Sequence, residues 1–315
     1  MSSDIEHWHI NAIVHKDCVE ETHYVSDPAR NIRRRPETTI WQVERLLGRG
    51  GFGEVRLERN RQDGRARAVK RIAMMGTNLT NMECEKELKA LLEFSKPKSR
   101  EAAVFIDFFG WFKDKSDIFL AMEYVPLGDL EKNITAHSGK ISEGEAQSII
   151  EQILSGLEIM HGQMFAHRDL KPQNVLVVHG PPMWWVKLAD FGLSKKLTDT
   201  TAYHTKAGTQ SYMAPEMLYS PDGSSDYTDA IDIWAVGCIA YRLVSGSVPF
   251  TIPALVQYCQ DKSLFPVDPL FDCGIKSTGS KFLRYLLVTE PKDRPSASQA
   301  LQHEWILSSK FFNPF

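Results

Sequence analysis

Apolar residues change their spacing twice along the chain. Residues 1 to 39 are polar and aperiodic, hold four of the ten histidines and carry the basic run Arg33-Arg34-Arg35-Pro36. That pattern predicts an irregular extension with little core of its own. From Ile40 the chain turns to short apolar runs broken by glycine and polar turns: Ile40-Trp41-Gln42-Val43, Gly53-Glu54-Val55-Arg56-Leu57 and Arg67-Ala68-Val69-Lys70-Arg71-Ile72. These read as successive antiparallel strands, with Asp63-Gly64 as a hairpin turn. Residues 81 to 94 place Leu88, Leu91 and Leu92 among many charges, the pattern of an amphipathic helix. Residues 105 to 112 and 118 to 125 add two strands joined by Lys113-Asp114-Lys115-Ser116.

After Pro126 the period becomes helical. Ile149, Ile150, Ile153, Leu154 and Leu157 form one stripe within 143 to 161, and residues 230 to 245 and 281 to 288 are further helices. The fold expected is therefore α+β and bilobal. A small five-stranded antiparallel β lobe with one helix spans 40 to 125, and a larger, mainly α-helical lobe spans 126 to 308. Residues 309 to 315 form a tail. No repeat is visible, and a cleft between the lobes is where a ligand belongs.

Composition narrows the class. An apolar share of 43% and a charged share of 24% over 315 residues are those of an ordinary globular protein. A net charge of -3 gives no push toward nucleic acid or an anionic membrane. Cys18, Cys84, Cys238, Cys259 and Cys273 are scattered without a C-x-x-C pair, which argues against a disulfide framework or a zinc site and for a reducing compartment. Met1-Ser2-Ser3-Asp4 has no basic start followed by an apolar run, so no secretory signal is expected. The longest strongly apolar stretch, Asp232 to Arg242, is too short to span a bilayer and reads as a core helix. An intracellular location, in cytoplasm or nucleus, follows as the expectation.

The chemistry is concentrated in His167-Arg168-Asp169-Leu170-Lys171-Pro172-Gln173-Asn174 and the following Asp190-Phe191-Gly192. Two aspartates, an asparagine and a lysine in this order can orient a hydroxyl, hold magnesium and steady a transferring phosphate. Upstream, Gly48-Arg49-Gly50-Gly51-Phe52-Gly53-Glu54-Val55 fits G-x-G-x-x-G-x-V between two predicted strands. Glycines let backbone N–H groups approach phosphate without side-chain obstruction. A dinucleotide-binding turn would need a helix to start here, and a strand follows instead.

In these motifs the chain resembles the eukaryotic protein kinases of the Ser/Thr type, over about residues 40 to 308. Asp190-Phe191-Gly192-Leu193-Ser194-Lys195 and Leu301-Gln302-His303-Glu304-Trp305 are most similar to the calcium/calmodulin-dependent and checkpoint kinase group. Lys171-Pro172 stands where tyrosine kinases generally carry an Ala/Arg pair. The resemblance implies ATP and Mg²⁺ as cofactors and Ser/Thr hydroxyls of proteins as acceptors. Asp169 becomes the catalytic carboxylate and Lys171 the residue that steadies the γ-phosphate. Lys70 contacts the α- and β-phosphates, and Asn174 and Asp190 ligate the metal. Lys70 pairs with a helix glutamate. Of Glu83, Glu85 and Glu87 the family spacing selects Glu87, one turn before Leu91.

Gly48, Gly50, Phe52, Gly53, Val55, Ala68, Met122, Glu123, Val125, Asp129 and Leu176 complete the ATP site by resemblance. Met122 is the gatekeeper, with hinge backbone at Glu123 and Val125. Asp129 reads equally as a ribose contact and as a helix N-cap. Gly208-Thr209-x-x-Tyr212-x-Ala214-Pro215-Glu216 supports the Ser/Thr type. Glu216 is expected to pair with Arg294, and Asp232 to anchor the catalytic-loop backbone.

Arg168 and Lys195 suit a phosphate on the activation segment, and Thr205 stands at the family's usual distance before Ala214-Pro215-Glu216. An upstream activating kinase is then a possible partner. Gln173 replaces the glutamate common in the group, and the segment from Pro249 to Gly279 is unusual. The competing class is a pseudokinase, a nucleotide-binding or interaction scaffold. Its sequence mark would be loss of Lys70, Asp169 or Asp190, and all three are present.

Overall fold

The computed structural model describes residues 3–27, 32–50, 53–73, 88, 91–96, 101–115, 117–190, 210–219 and 229–309. The chain divides into two compact units. One comprises residues 1–96 and 106–124, the other residues 97–105 and 125–315. Among the described residues no helix is long and apolar enough to cross a membrane.

The first unit is built on seven strands: β1 (Asn11–Val14), β2 (Cys18–Asp27), β3 (Ile32–Gly50), β4 (Gly53–Asn60), β5 (Ala66–Ile72), β6 (Phe108–Asp114) and β7 (Asp117–Glu123). All pairs are antiparallel, in the order β1-β2-β3-β4-β5-β7-β6. Two expectations are corrected here. The five expected strands are present as β3 to β7, but among the described residues the sheet has seven, and most of the segment expected to be irregular is strand. The β-prone residues Val19, Thr22, Tyr24 and Val25, interspersed with Glu20, Glu21 and His23, supply strand pairing without a long apolar run. A short helix, α1 (Ser3–His7), precedes β1.

The sheet then closes on itself. Ile10 N–H donates to Trp111 O at 2.7 Å and Trp111 N–H donates to Trp8 O at 3.0 Å, a parallel bridge between the start of β1 and β6. Val19, Trp41, Val69, Phe112, Phe119 and Ala121 fill the interior, with Ile10, Ala12 and Val14 packed against them. Of the helix expected over 81 to 94, Leu88 and residues 91–94 are helical, and Leu88 and Leu91 are buried. The rest lies outside the described residues.

The second unit is mainly helical: α2 (Leu130–Ala136), α3 (Glu143–Gly162), α4 (Pro215–Tyr219), α5 (Ala230–Ser245), α6 (Ile252–Gln260), α7 (Asp268–Asp272), α8 (Ser277–Leu286), α9 (Ala297–Leu301) and α10 (Glu304–Ser309). A two-stranded ribbon, β8 (Val175–His179) with β9 (Trp185–Leu188), carries the loop that precedes Asp190. Helix α3 starts in a capping box. Ser142 Oγ accepts from Glu145 N–H and the Glu145 carboxylate accepts from Ser142 N–H. All five residues of its predicted stripe are fully buried. Helix α5 is buried on nearly every side and ends at Gly246, whose φ of 83° closes the last turn. Phe105, expected to open a strand of the β lobe, instead bridges Leu188 in this unit, and β6 begins at Phe108.

Candidate functional site

In the first unit the glycine-rich stretch is the β3–β4 hairpin, with Gly48 opposite Val55 and Gly50 opposite Gly53. Gly53 sits at φ 138°, and a Cβ there would lie 1.8 Å from Arg71 O, so no other residue fits. Phe52 lies outside the described residues. Val55 pairs with Lys70, Ala68 with Met122 and Arg67 with Glu123, which sets these positions on three adjacent strands. Lys70 is buried, 7% exposed, where a lone strand lysine is ordinarily solvated. Met122 and Val125 are buried, and Glu123 N–H donates to Asp107 O at 2.8 Å. Glu87 lies outside the described residues.

The second unit assembles the catalytic-loop residues around one another. Lys171 Nζ donates to both carboxylate oxygens of Asp169, at 2.9 and 2.7 Å. Asn174 Nδ2 donates to Asp169 O at 2.7 Å and to Asp169 Oδ2 at 3.1 Å. The amide nitrogen of Asn174 is thus engaged, which leaves Oδ1 as its ligand-donor atom. Asp190 follows Ala189, whose N–H donates to Asn174 O at 2.9 Å and whose carbonyl meets His167 Nε2 at 3.2 Å. Both Arg168 and Asp190 have positive φ, 65° and 56°.

Asp232, 1% exposed, fixes the front of this loop. Its carboxylate accepts the N–H of His167 at 2.7 Å and of Arg168 at 2.8 Å, and meets His161 Nε2 at 2.9 Å. Strained backbone of this kind persists only where its surroundings over-determine it. Asp129 caps α2, accepting Lys132 N–H at 2.9 Å, so the cap reading is realised. It also bridges Leu176, which joins two of the residues assigned to the ATP site. Arg294 holds Glu216 through two parallel bonds of 2.6 and 2.7 Å and also binds three backbone carbonyls. Thr205 and Thr209 lie outside the described residues.

Asn174 and Asp190 offer the hard oxygen donors that Mg²⁺ prefers. Among the described residues no group of three or more His, Cys, Asp or Glu side chains gathers to hold an ion alone.

A β unit with a glycine-rich hairpin and a buried strand lysine, and a helical unit with the Asp169–Lys171–Asn174 cluster, define a kinase-like bilobal protein. The protein kinase domain family matches residues 41–306, and the chain belongs to that family. It is 32% identical over 276 residues to serine/threonine-protein kinase cds1 of Schizosaccharomyces pombe, covering 86% of this chain and 59% of that protein. Serine/threonine-protein kinase RAD53 of Saccharomyces cerevisiae is 30% identical over 279 residues, 85% of this chain and 33% of its own. Myosin light chain kinase A of Dictyostelium discoideum is 31% identical over 278 residues, 87% of this chain and 90% of its own. The chain thus spans little more than half of the first relative and a third of the second.

Sequence reasoning missed the N-terminal strands and the ion cluster they feed, Glu21 with Arg67 and Glu58. The available signal was the β-prone composition of residues 18 to 25, with Val19, Thr22, Tyr24 and Val25.

Proposed function

We propose that this chain transfers the γ-phosphate of ATP to Ser or Thr hydroxyls of protein substrates, as an intracellular enzyme of phosphorylation-based signalling. The observation that carries the reading is the mutual bonding of Asp169, Lys171 and Asn174 on a loop pinned by Asp232. Among the described residues Asp169 Oδ2 takes two donors and Oδ1 one, which favours Oδ1 as the oxygen that receives the substrate hydroxyl proton. Lys171 stands beside it, where an ammonium steadies charge on the phosphoryl group. Lys70 orients the α- and β-phosphates, and Ala68 and Met122, paired across β5 and β7, supply apolar surface for the base. Mg²⁺, held by Asn174 Oδ1 and Asp190, would neutralise phosphate charge. Positioning and electrostatics carry the rate, with no covalent enzyme intermediate.

Phosphorylation of Thr205, by an upstream kinase or by the enzyme itself, would order the activation segment through the exposed Arg168. If Thr205→Ala leaves both activity and protease sensitivity of that segment unchanged, this regulation is absent.

The deciding experiment is purified protein with Mg²⁺ and ATP, read by intact mass and phosphosite mapping, beside Asp169→Asn. Phosphate gained on Ser or Thr by the wild type alone supports the reading. If neither gains phosphate, and neither phosphorylates a Ser/Thr peptide library after Thr205→Glu substitution, the scaffold reading replaces it.

A further inference from the structure

The family match begins at residue 41, yet the segment before it is built into the sheet that carries Lys70. Two contacts make the connection. At the first, residues 8–10 close the sheet onto β6 at Trp111, whose indole N–H donates to Ile5 O at 2.8 Å. Gly110, at φ 137°, admits this approach, since a Cβ there would lie 2.7 Å from Trp8 O. At the second, Glu21 of β2 reaches Arg67 of β5, Oε2 to Nη1, at 2.7 Å. Strands β3 and β4 intervene in the sheet. Three strand spacings amount to about 14 Å in a flat sheet, so only the closed curl brings the pair together.

Arg67 is 2% exposed. Its Nε donates to Glu58 Oε2 at 2.9 Å, Glu58 is fully buried, and the guanidinium lies 4.0 Å from the Trp41 ring. Stability is a poor account of this arrangement. Buried ion groups are often no more stabilising than apolar replacements, and here Arg67 Nη2 and Trp41 Nε1 find no acceptor among the described residues. A local rule broken in the core points to a role in positioning. Arg67 sits three residues before Lys70 on one rigid strand, and both face β4 directly, opposite Glu58 and Val55.

We propose that residues 5–22 are a strap that sets the position of β5. Arg67 is then the positioning residue through which Glu21 and Glu58 hold Lys70 in register with the phosphates of ATP. The inference rests on the reading of Lys70 given above. It makes nucleotide affinity depend on a segment outside the family match.

The test compares the full chain with Glu21→Gln, Glu21→Leu/Arg67→Met and Lys70→Met. Melting temperature, binding of a fluorescent ATP analogue with Mg²⁺, and KM for ATP against kcat are measured for each. Glu21→Gln is expected to raise KM for ATP about threefold to tenfold with kcat within about twofold. In the apolar double variant Glu58 keeps Arg56, whose Nε donates to Oε1 at 2.7 Å, so it is expected to melt within a few degrees of wild type while its KM stays raised, because it restores packing without register. Recovery of KM together with melting temperature, or an unchanged KM in either variant, overturns the strap. Should Glu21→Gln fail to fold, the double variant decides alone by the same criterion. Lys70→Met separates the two readings. If it leaves ATP binding and kcat unchanged, the assignment of Lys70 fails, and the route from the strap through Lys70 falls with it.

Discussion

Asp232 accepts the backbone N–H of Arg168 at 2.8 Å, and Arg168 is held at φ 65°, a conformation that costs an arginine free energy. The carboxylate also takes His167 N–H and meets His161 Nε2. Asp232→Ala would leave two loop N–H groups without an acceptor, at about 1–3 kcal/mol each. The expected outcome is a stability loss of roughly 2–5 kcal/mol in urea denaturation. A fall in kcat for a peptide substrate should accompany it, because Asp169 follows Arg168 directly. An unchanged denaturation midpoint would show that the loop holds its shape without this anchor.

The sequence made the helical unit legible because its stripes recur at helical spacing. Ile149, Ile150, Ile153, Leu154 and Leu157 are buried as read, and 230 to 245 is a helix to the residue. The catalytic-loop cluster was legible because short-range motifs fix it: Asp169, Lys171 and Asn174 lie within six residues. The N-terminal strands were not, because their core contacts come from partners far along the chain. Val19 pairs with Trp41 and the segment closes onto Trp111, so no local apolar run announces them. Burial of Arg67 was equally hidden: Glu58 is its cross-strand neighbour on β4, but Glu21 lies on a strand that only the curl brings close.

Glu216 and Arg294 form a forked pair with the guanidinium buried. Arg294→Met would strand the carboxylate and release the carbonyls of Val288, Thr289 and Ala230. A loss of about 3–5 kcal/mol is expected from removing one partner of a buried pair. Arg294→Lys should recover less than half of it, because an ammonium cannot bond both carboxylate oxygens and three carbonyls in the planar fork geometry. Calorimetric melting of the two variants gives the comparison. Equal melting temperatures for lysine and arginine would show that charge alone matters at this site.

Tyr241 gives a pH prediction. Burial pushes its phenol up to about 12, with Cys273 and Asp268 adding in the same direction. The unfolded phenol titrates near 10. The native state therefore keeps a proton that the unfolded state releases. Stability from this group is fully present below pH 10, falls between 10 and 12, and is lost above 12. Tyr241→Phe should flatten the decline of the urea midpoint above pH 10. It should also lower stability at pH 7 by about 1 kcal/mol through loss of the bond to Pro266 O. Tyr258, also pushed up by burial, keeps part of the slope. A decline identical in wild type and Tyr241→Phe would assign alkaline unfolding to other groups.

Gly110 and Gly64 both hold positive φ, 137° and 74°, but only Gly110 is crowded. A Cβ on Gly64 meets nothing within 4 Å, whereas one on Gly110 would lie 2.7 Å from Trp8 O and 2.8 Å from Ile10 Cγ1. Gly64→Ala should therefore lose only the conformational term, about 1–2 kcal/mol. Gly110→Ala adds a clash with backbone that cannot swing aside, and a loss of roughly 3 kcal/mol or more is expected. The clash should also loosen the bond from Ile10 N–H to Trp111 O, so that hydrogen exchange at Ile10 quickens in Gly110→Ala and not in Gly64→Ala. Equal losses for the two variants, with Ile10 equally protected, would mean that the N-terminal segment does not press on β6 and that the sheet is open at that edge.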